Sequence, residues 1–459
     1  MPLAVLLLVW AISLISLPAM TVNLARPYES KPASPRPPGL AFYAPGCDDF
    51  LFDGKQDPQI VCVPYLRALN LEWTLAQNRL MTPFLSGRGL PRFDNSFDLT
   101  LPGDGLKPGF YDLRVTIHFS DTEKIEGITT FGWKVDEMPV YPLKPDDFDI
   151  FWKTALQKID AIPPNPKWTL EKTLLGKEID AYNIASAALP EDYDPEGKRT
   201  DAVEIYRVHF TSHDNVTIEG WFTKPVGPGP FPALLVLPGA GNIPRPAPVE
   251  QARHGYAALD IQVHGNLVDA PAYAPLPPDN APRAEDRIHY DVYLNALQAA
   301  RVLKLLPGVD SNRMAVLGGS QGGRLTMVVA ALDPSFKAAI AAITHFAYMP
   351  WQHWVQQCNT NKQSDADGYQ PDQAKPDAND TDRYYDVLNF TPLIRCPVLM
   401  NSGLIDPTSP PTSIFALYDA LPGKKELIPL PNTGHDWSPA FDRYAWRWLD
   451  RTLTAPAAP

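Results

Sequence analysis

Cysteine is scarce in this chain, with 4 among 459 residues. None of them stands with histidine at the spacing of a zinc site, which excludes the familiar zinc-centred domains. Basic charge is also in deficit. Lys and Arg number 40 against 52 Asp and Glu, a net charge of −12, which argues against nucleic acid and against anionic membrane surfaces as partners. No internal repeat runs along the chain, so solenoids and propellers are excluded. Charge is missing altogether from Met1 to Ala25, and Leu3 to Leu17 is almost wholly apolar. That matches the apolar region of a secretory signal, with Ala19 or Ala25 as the cleavage point. The usual basic start is absent and the stretch nearly reaches spanning length, so a retained membrane anchor is the rival reading. Either way the remainder is expected to be exported, secreted or periplasmic.

What the chain has in plenty is proline, 51 residues, roughly double the usual ~5%. With 45% hydrophobic residues, the prolines point to long ordered loops rather than disorder. The length allows two or three domains, each with its own core. An oxidising compartment would permit a Cys47–Cys62 bridge worth about 3 kcal/mol on the loop-entropy argument. Cys396 precedes an apolar run and is expected to be buried. Cys358 is expected in a polar loop as a free thiol.

Four regions follow. Residues 1–25 are the leader or anchor, and 26–40 a proline-rich tether. Residues 41–140 carry short alternating strands, including Leu71–Leu75, Phe97–Leu101, Tyr111–Ile117 and Thr129–Val135. This spacing predicts a small β-sandwich of immunoglobulin type. In 141–455, Phe148, Phe151, Trp152 and Leu156 fall at helical spacing. Strands are then predicted at Val203–Phe210, Val216–Phe222, Phe231–Leu237, Tyr256–Ile261, Arg313–Leu317, Ala338–Ile343, Val398–Asn401 and Glu426–Leu430. Helices alternate with them, and the central strands are apolar throughout. That predicts a mostly parallel sheet with helices on both faces.

The chemistry centres on Gly318-Gly319-Ser320-Gln321-Gly322-Gly323. An apolar strand precedes it and a helical stretch, Arg324–Leu332, follows. Strand, Gly-x-Ser-x-Gly, helix is the setting in which a sharp turn lifts the serine hydroxyl above a sheet. The same turn aims the Gln321 N–H at a developing oxyanion. A serine nucleophile needs an imidazole base, and the base needs a carboxylate, in the chain order serine, acid, histidine. Of the histidines after Ser320, His435 lies in a polar turn behind the last strand, where such sheets bind ligands. His345 and His353 lie in an aromatic-rich stretch suited to packing or substrate contact. Asp406 follows the strand at Val398 and is the expected acid, ahead of Asp436, Asp382 and Asp386. Ala240, in Gly239-Ala240-Gly241, is the expected second oxyanion donor. Tyr348, Trp351, Trp354, Trp437 and His264 are candidate substrate contacts.

These motifs, from Asp147-Phe148-Asp149-Ile150-Phe151-Trp152 through Gly318–Gly323 to Asp406, Pro410-Pro411 and His435, resemble the acetyl xylan esterase and cephalosporin-C deacetylase family. The resemblance implies an α/β-hydrolase fold and a serine esterase that removes acetyl groups from small sugar esters. Ser320, Asp406 and His435 would be its triad. No cofactor and no metal are expected, since a serine made nucleophilic by an imidazole base needs no bound cation. The partner would be an acetylated carbohydrate or another small acetyl ester, with homo-oligomerisation left open. Two motifs depart from the family pattern. Pro238-Gly239-Ala240 stands where histidine-glycine-aromatic is usual, and His264-Gly265-Asn266 where arginine-glycine-glutamine is usual. Rival readings are a serine peptidase or general carboxylesterase of the same fold, and a non-catalytic carbohydrate-binding or adhesion protein.

Overall fold

The structure is a computed structural model, and it describes residues 39–185, 197–276, 281–362, 369, 381–436 and 438–454. The leader and most of the tether lie outside this set, as does Trp437. Eight strands come first: β1 (Leu40–Tyr43), β2 (Leu51–Phe52), β3 (Gln59–Pro64), β4 (Asn70–Gln77), β5 (Leu85–Gly89), β6 (Phe97–Thr100), β7 (Gly109–His118) and β8 (Lys124–Trp133). They form a three-stranded sheet, β1-β3-β6, and a five-stranded sheet, β2-β8-β7-β4-β5. Among the described residues of these two sheets, only β2 with β8 is parallel. Alternation explains the layering. Leu113, Val115 and Ile117 of β7 point inward with Leu71 and Leu75 of β4, and meet Ile60, Cys62, Phe97 and Leu99 of the other sheet. The Tyr111 hydroxyl donates to Lys107 O at 2.7 Å and accepts from Lys107 N at 2.8 Å. That is the tyrosine corner of immunoglobulin-type sandwiches.

The second part is one nine-stranded sheet. Its strands are β9 (Lys167–Leu175), β10 (Ala202–Thr211), β11 (Thr217–Pro225), β12 (Phe231–Leu237), β13 (Ala257–Ile261), β14 (Val309–Gly319), β15 (Ala338–Ala342), β16 (Val398–Gly403) and β17 (Lys425–Leu430). Their order is β17-β16-β15-β14-β12-β13-β11-β10-β9. The six from β17 to β13 are mutually parallel, and β11, β10 and β9 are antiparallel. The α-helices among the described residues are α1 (Phe148–Asp160), α2 (Lys177–Ala185), α3 (Val249–Arg253), α4 (Ile288–Leu303), α5 (Gln321–Leu332), α6 (Met349–Asn361), α7 (Val387–Phe390), α8 (Pro411–Ala420) and α9 (Pro439–Thr454).

The apolar runs are buried on both faces, as parallel strands require. On β12, Ala233, Leu235 and Leu237 pack with residues of α1, α4 and α5, while Leu234 and Val236 pack with Phe441, Trp446 and Leu449 of α9. The chain runs outward from β12 to β13, then returns to lay β14 on the other side of β12. The crevice at the carboxyl ends of β12 and β14 is thus the point where strand order reverses, the usual ligand position in such sheets.

Several expectations change. No disulfide joins Cys47 to Cys62, and all four cysteines are free thiols. Cys358 sits on α6 and is buried, not in a polar loop, because its neighbours Trp354 and Val355 carry that helix into the core. Cys396 is only half-buried. The buried stripe of α1 is Phe148, Trp152, Ala155 and Ile159, with Phe151 and Leu156 on its edge.

Candidate active site

Ser320 stands between β14 and α5 with φ 56° and ψ −116°. A non-glycine residue there is strained, and the strain persists only because the flanking packing fixes the turn. That packing is very close. A Cβ on Gly322 would lie 2.2 Å from Leu237 O, so α5 begins directly against the end of β12. Ser320 N donates to Ala342 O at 2.9 Å, and Ser320 O accepts from His345 N and Arg324 N.

The acid and the histidine come from the next two strand ends. Asp406 follows β16 and His435 follows β17. A Cβ on Gly403 would lie 2.5 Å from Gly434 O, and Ile405 N donates to Thr433 O at 3.1 Å, so the two loops are locked together. His435 Nδ1–H donates to Asp406 Oδ2 at 2.8 Å. Its Nε2 accepts from the Ser320 hydroxyl at 2.9 Å. Asp406 is 1% exposed, and its other oxygen accepts from Thr408 N and Ser409 N, both at 2.8 Å. With both its oxygens accepting, Asp406 fixes the imidazole tautomer. Ser320, Asp406 and His435, far apart in the chain, are thus one hydrogen-bonded row. The arrangement can make a neutral serine nucleophilic. Among the described residues no cluster of three or more His, Cys, Asp or Glu side chains is placed to hold a metal ion.

The other carboxylates lie elsewhere. Asp436 N–H donates to Gly434 O. Asp382 pairs with Arg287 and His353. Asp386 is buried and caps α7, accepting from Leu388 N, Tyr348 N and Met349 N.

Residues 134–452 match the acetyl xylan esterase (AXE1) family model. The chain belongs to the acetyl xylan esterase family. An acetyl esterase of Xylanibacter ruminicola is 27% identical over 382 residues, covering 76% of each chain. An acetyl xylan esterase structure from a Paenibacillus species is 26% identical, with TM-score 0.52, covering 69% of this chain and 98% of that one. Another, from a Thermoanaerobacterium species, has TM-score 0.53 at 21% identity and shares the fold over 70% of this chain and 98% of its own. The protein is therefore an ester hydrolase with the α/β-hydrolase fold.

In this acetyl xylan esterase family member the aromatic candidates fall differently from expectation. Tyr348, Trp351 and Trp354 are 1%, 6% and 5% exposed and belong to the core. Tyr348 OH accepts from Tyr141 N, and Trp354 packs on Tyr369. Tyr348 and Trp351 line a cleft of about 130 Å³ against Gln77, Phe110 and Met138 of the sandwich side, and neither Ser320, Asp406 nor His435 lines it. They are placed as packing residues because α6 is pressed between the two parts of the chain. Trp437 lies outside the described residues. His264 lies within reach of the charges of Arg324 and His289, and both its ring nitrogens are buried with no hydrogen-bond partner among the described residues. Desolvation, then the charges of Arg324 and His289, push it down to about 4. Desolvation and Arg324 likewise push His345 down to about 3. Both rings are neutral at working pH. The sequence reading missed Arg324 and His289, whose side chains meet at 2.9 Å behind the serine turn. The sequence signal for Arg324 was a charge opening an otherwise apolar helix.

Proposed function

We propose that this protein removes acetyl groups from acetylated, xylan-type sugars through an acyl-enzyme, with Ser320 as nucleophile, His435 as base and Asp406 as the orienting acid. What carries the reading is the unbroken row from Asp406 through His435 to a strained Ser320. Ser320 Oγ attacks the acetyl carbonyl carbon as His435 Nε2 takes the hydroxyl proton. The N–H groups of Gln321 and Ala240 are proposed to receive the carbonyl oxygen as it becomes an oxyanion. His435 then returns the proton to the departing sugar oxygen. Water, deprotonated by His435, attacks the acetyl-serine, and His435 passes that proton to Ser320 Oγ as the acyl bond breaks and acetate leaves. Asp406 stabilises the imidazolium in both halves. Residues 1–25 are proposed to direct export, and N-terminal sequencing of exported protein tests for a start after Ala19 or Ala25.

The decisive experiment is acetate release from acetylated xylo-oligosaccharides, run beside p-nitrophenyl esters from acetate to octanoate. Acetate should be the preferred acyl group, and Ser320→Ala should lower kcat on the order of 10⁶-fold. A kcat/KM that climbs with chain length would make this a general carboxylesterase. Cleavage of peptides instead of acetylated sugars would make it a peptidase.

A further inference from the structure

Gln321 carries more than a backbone N–H at the serine turn. Its side chain crosses to the end of β12, where Nε2 donates to Gly239 O at 3.2 Å. Its Oε1 accepts from Arg324 Nη2 at 3.2 Å. Arg324 Nη1 donates in turn to His289 Nε2 at 2.9 Å. The guanidinium lies over the rings of Phe346 and Tyr293, at 5.1 and 5.6 Å, and Arg324 is 3% exposed. These neighbours fix the amide orientation. Arginine has only donors, so Oε1 must face it, and the NH₂ group is left for the Gly239 carbonyl.

The Gly239–Ala240 peptide is planar, and in a trans peptide the C=O and N–H point opposite ways. Holding Gly239 O against Gln321 therefore turns the Ala240 N–H to the other side. Gly239 is buried and Ala240 exposed, so that side is the open one. No acceptor among the described residues takes the Ala240 N–H. We infer that the Gln321 side chain is a positioning residue: it sets the direction of the Ala240 N–H, and Arg324 and His289 hold it in the orientation that does so. One residue then supplies one oxyanion donor and aims the other. This inference rests on the serine-esterase reading above.

The test is steady-state hydrolysis of p-nitrophenyl acetate by the full chain and three variants. Gln321→Met keeps the length and loses both side-chain contacts. Removing an oxyanion donor outright costs about 10²–10³ in kcat, so misdirecting one should cost about 10–100-fold, with KM within about two-fold. Gln321→Glu keeps the partner for Arg324 but sets an acceptor against Gly239 O, and should lose at least as much. Binding of a boronate transition-state analogue should weaken by the same factor as kcat/KM, whereas acetate binding should not change. A kcat within two-fold of wild type in Gln321→Met, or full activity in Gln321→Glu, overturns the inference. Ser320→Ala separates the two levels. Residual turnover there brings down the serine reading and this inference with it. An inert Ser320→Ala beside a fully active Gln321→Met overturns only the positioning role.

Discussion

Asp406 accepts three hydrogen bonds while almost wholly buried, so each of its oxygens faces a donor. Asp406→Asn keeps the shape but sets an NH₂ group against donors, which favours the wrong imidazole tautomer. A fall of about 10⁴ in kcat is expected, with an unchanged circular dichroism spectrum. His345 makes a pH prediction. Its imidazole is held down to about 3 and that of His264 to about 4, against an unfolded value near ~6.5. Between those values the unfolded chain binds protons that the folded chain refuses, so stability falls as pH falls. Asp386 acts oppositely, since desolvation raises it to about 6 and it takes its proton early in the folded state. Desolvation raises Asp260, Asp291 and Asp419 in the same sense as Asp386, so the imidazole contribution is read by difference, as the drop in Tm from about pH 6.5 to about pH 4 in the wild type against that in the variant. In His345→Leu, calorimetry should find a shallower drop. An equally steep drop would remove His345 from the account.

At the scale of elements, the site depends on how closely α5 approaches β12. Gly322→Ala would place a methyl 2.2 Å from Leu237 O, a backbone atom that cannot turn aside. Strain of about 1–3 kcal/mol is expected from urea unfolding, and kcat should fall as the turn retracts from His435. The neighbouring loop is held by a buried pair. Arg245 Nε and Nη2 donate to the two oxygens of Asp260 on β13, at 3.0 and 2.7 Å. Asp260→Ala leaves the guanidinium buried beside no carboxylate, at a cost of about 3–5 kcal/mol. A loss under about 1 kcal/mol in the same titration would contradict that accounting.

At the scale of the molecule, the sandwich and the hydrolase sheet share a seam that touches the loops bearing Asp406 and His435. Phe110 packs edge-on to Phe415 at 4.8 Å. Thr412 donates to Asn78 Oδ1 at 3.1 Å, and Thr129 to Asn432 Oδ1 at 3.0 Å, three residues before His435. Leu404 and Phe415 belong to the core of the sandwich. The two parts should therefore unfold together. Phe110→Ala should cost about 3–5 kcal/mol and split the single calorimetric transition into two. Two transitions already present in the wild type would show the seam to be weak.

Much of this architecture was legible from residue order alone. The strand at Phe231–Leu237 was bounded as observed, and the sandwich and the parallel sheet followed from alternation and unbroken apolar runs. These signals are local, since each residue's face is set by its own strand. Edge elements escaped for the same reason: among the described residues β9 pairs only with β10, lies mostly exposed, and mixes charged with apolar residues without a buried stripe. The serine turn was legible because its Gly-x-Ser-x-Gly pattern is contiguous and flanked by a strand and a helix that each show in their own residues, although the close approach that demands Gly322 is to Leu237 O, far away in the chain. Which aromatic rings border the site, whether cysteines meet, and which amide aims the Ala240 N–H were not legible. Those depend on approaches between segments far apart in the chain, such as Thr412 to Asn78 or Gln321 to Gly239. The sequence by itself determined the elements and the chemical types at their ends. The tertiary structure alone decided which of those ends meet, because that depends on packing distances no local pattern encodes.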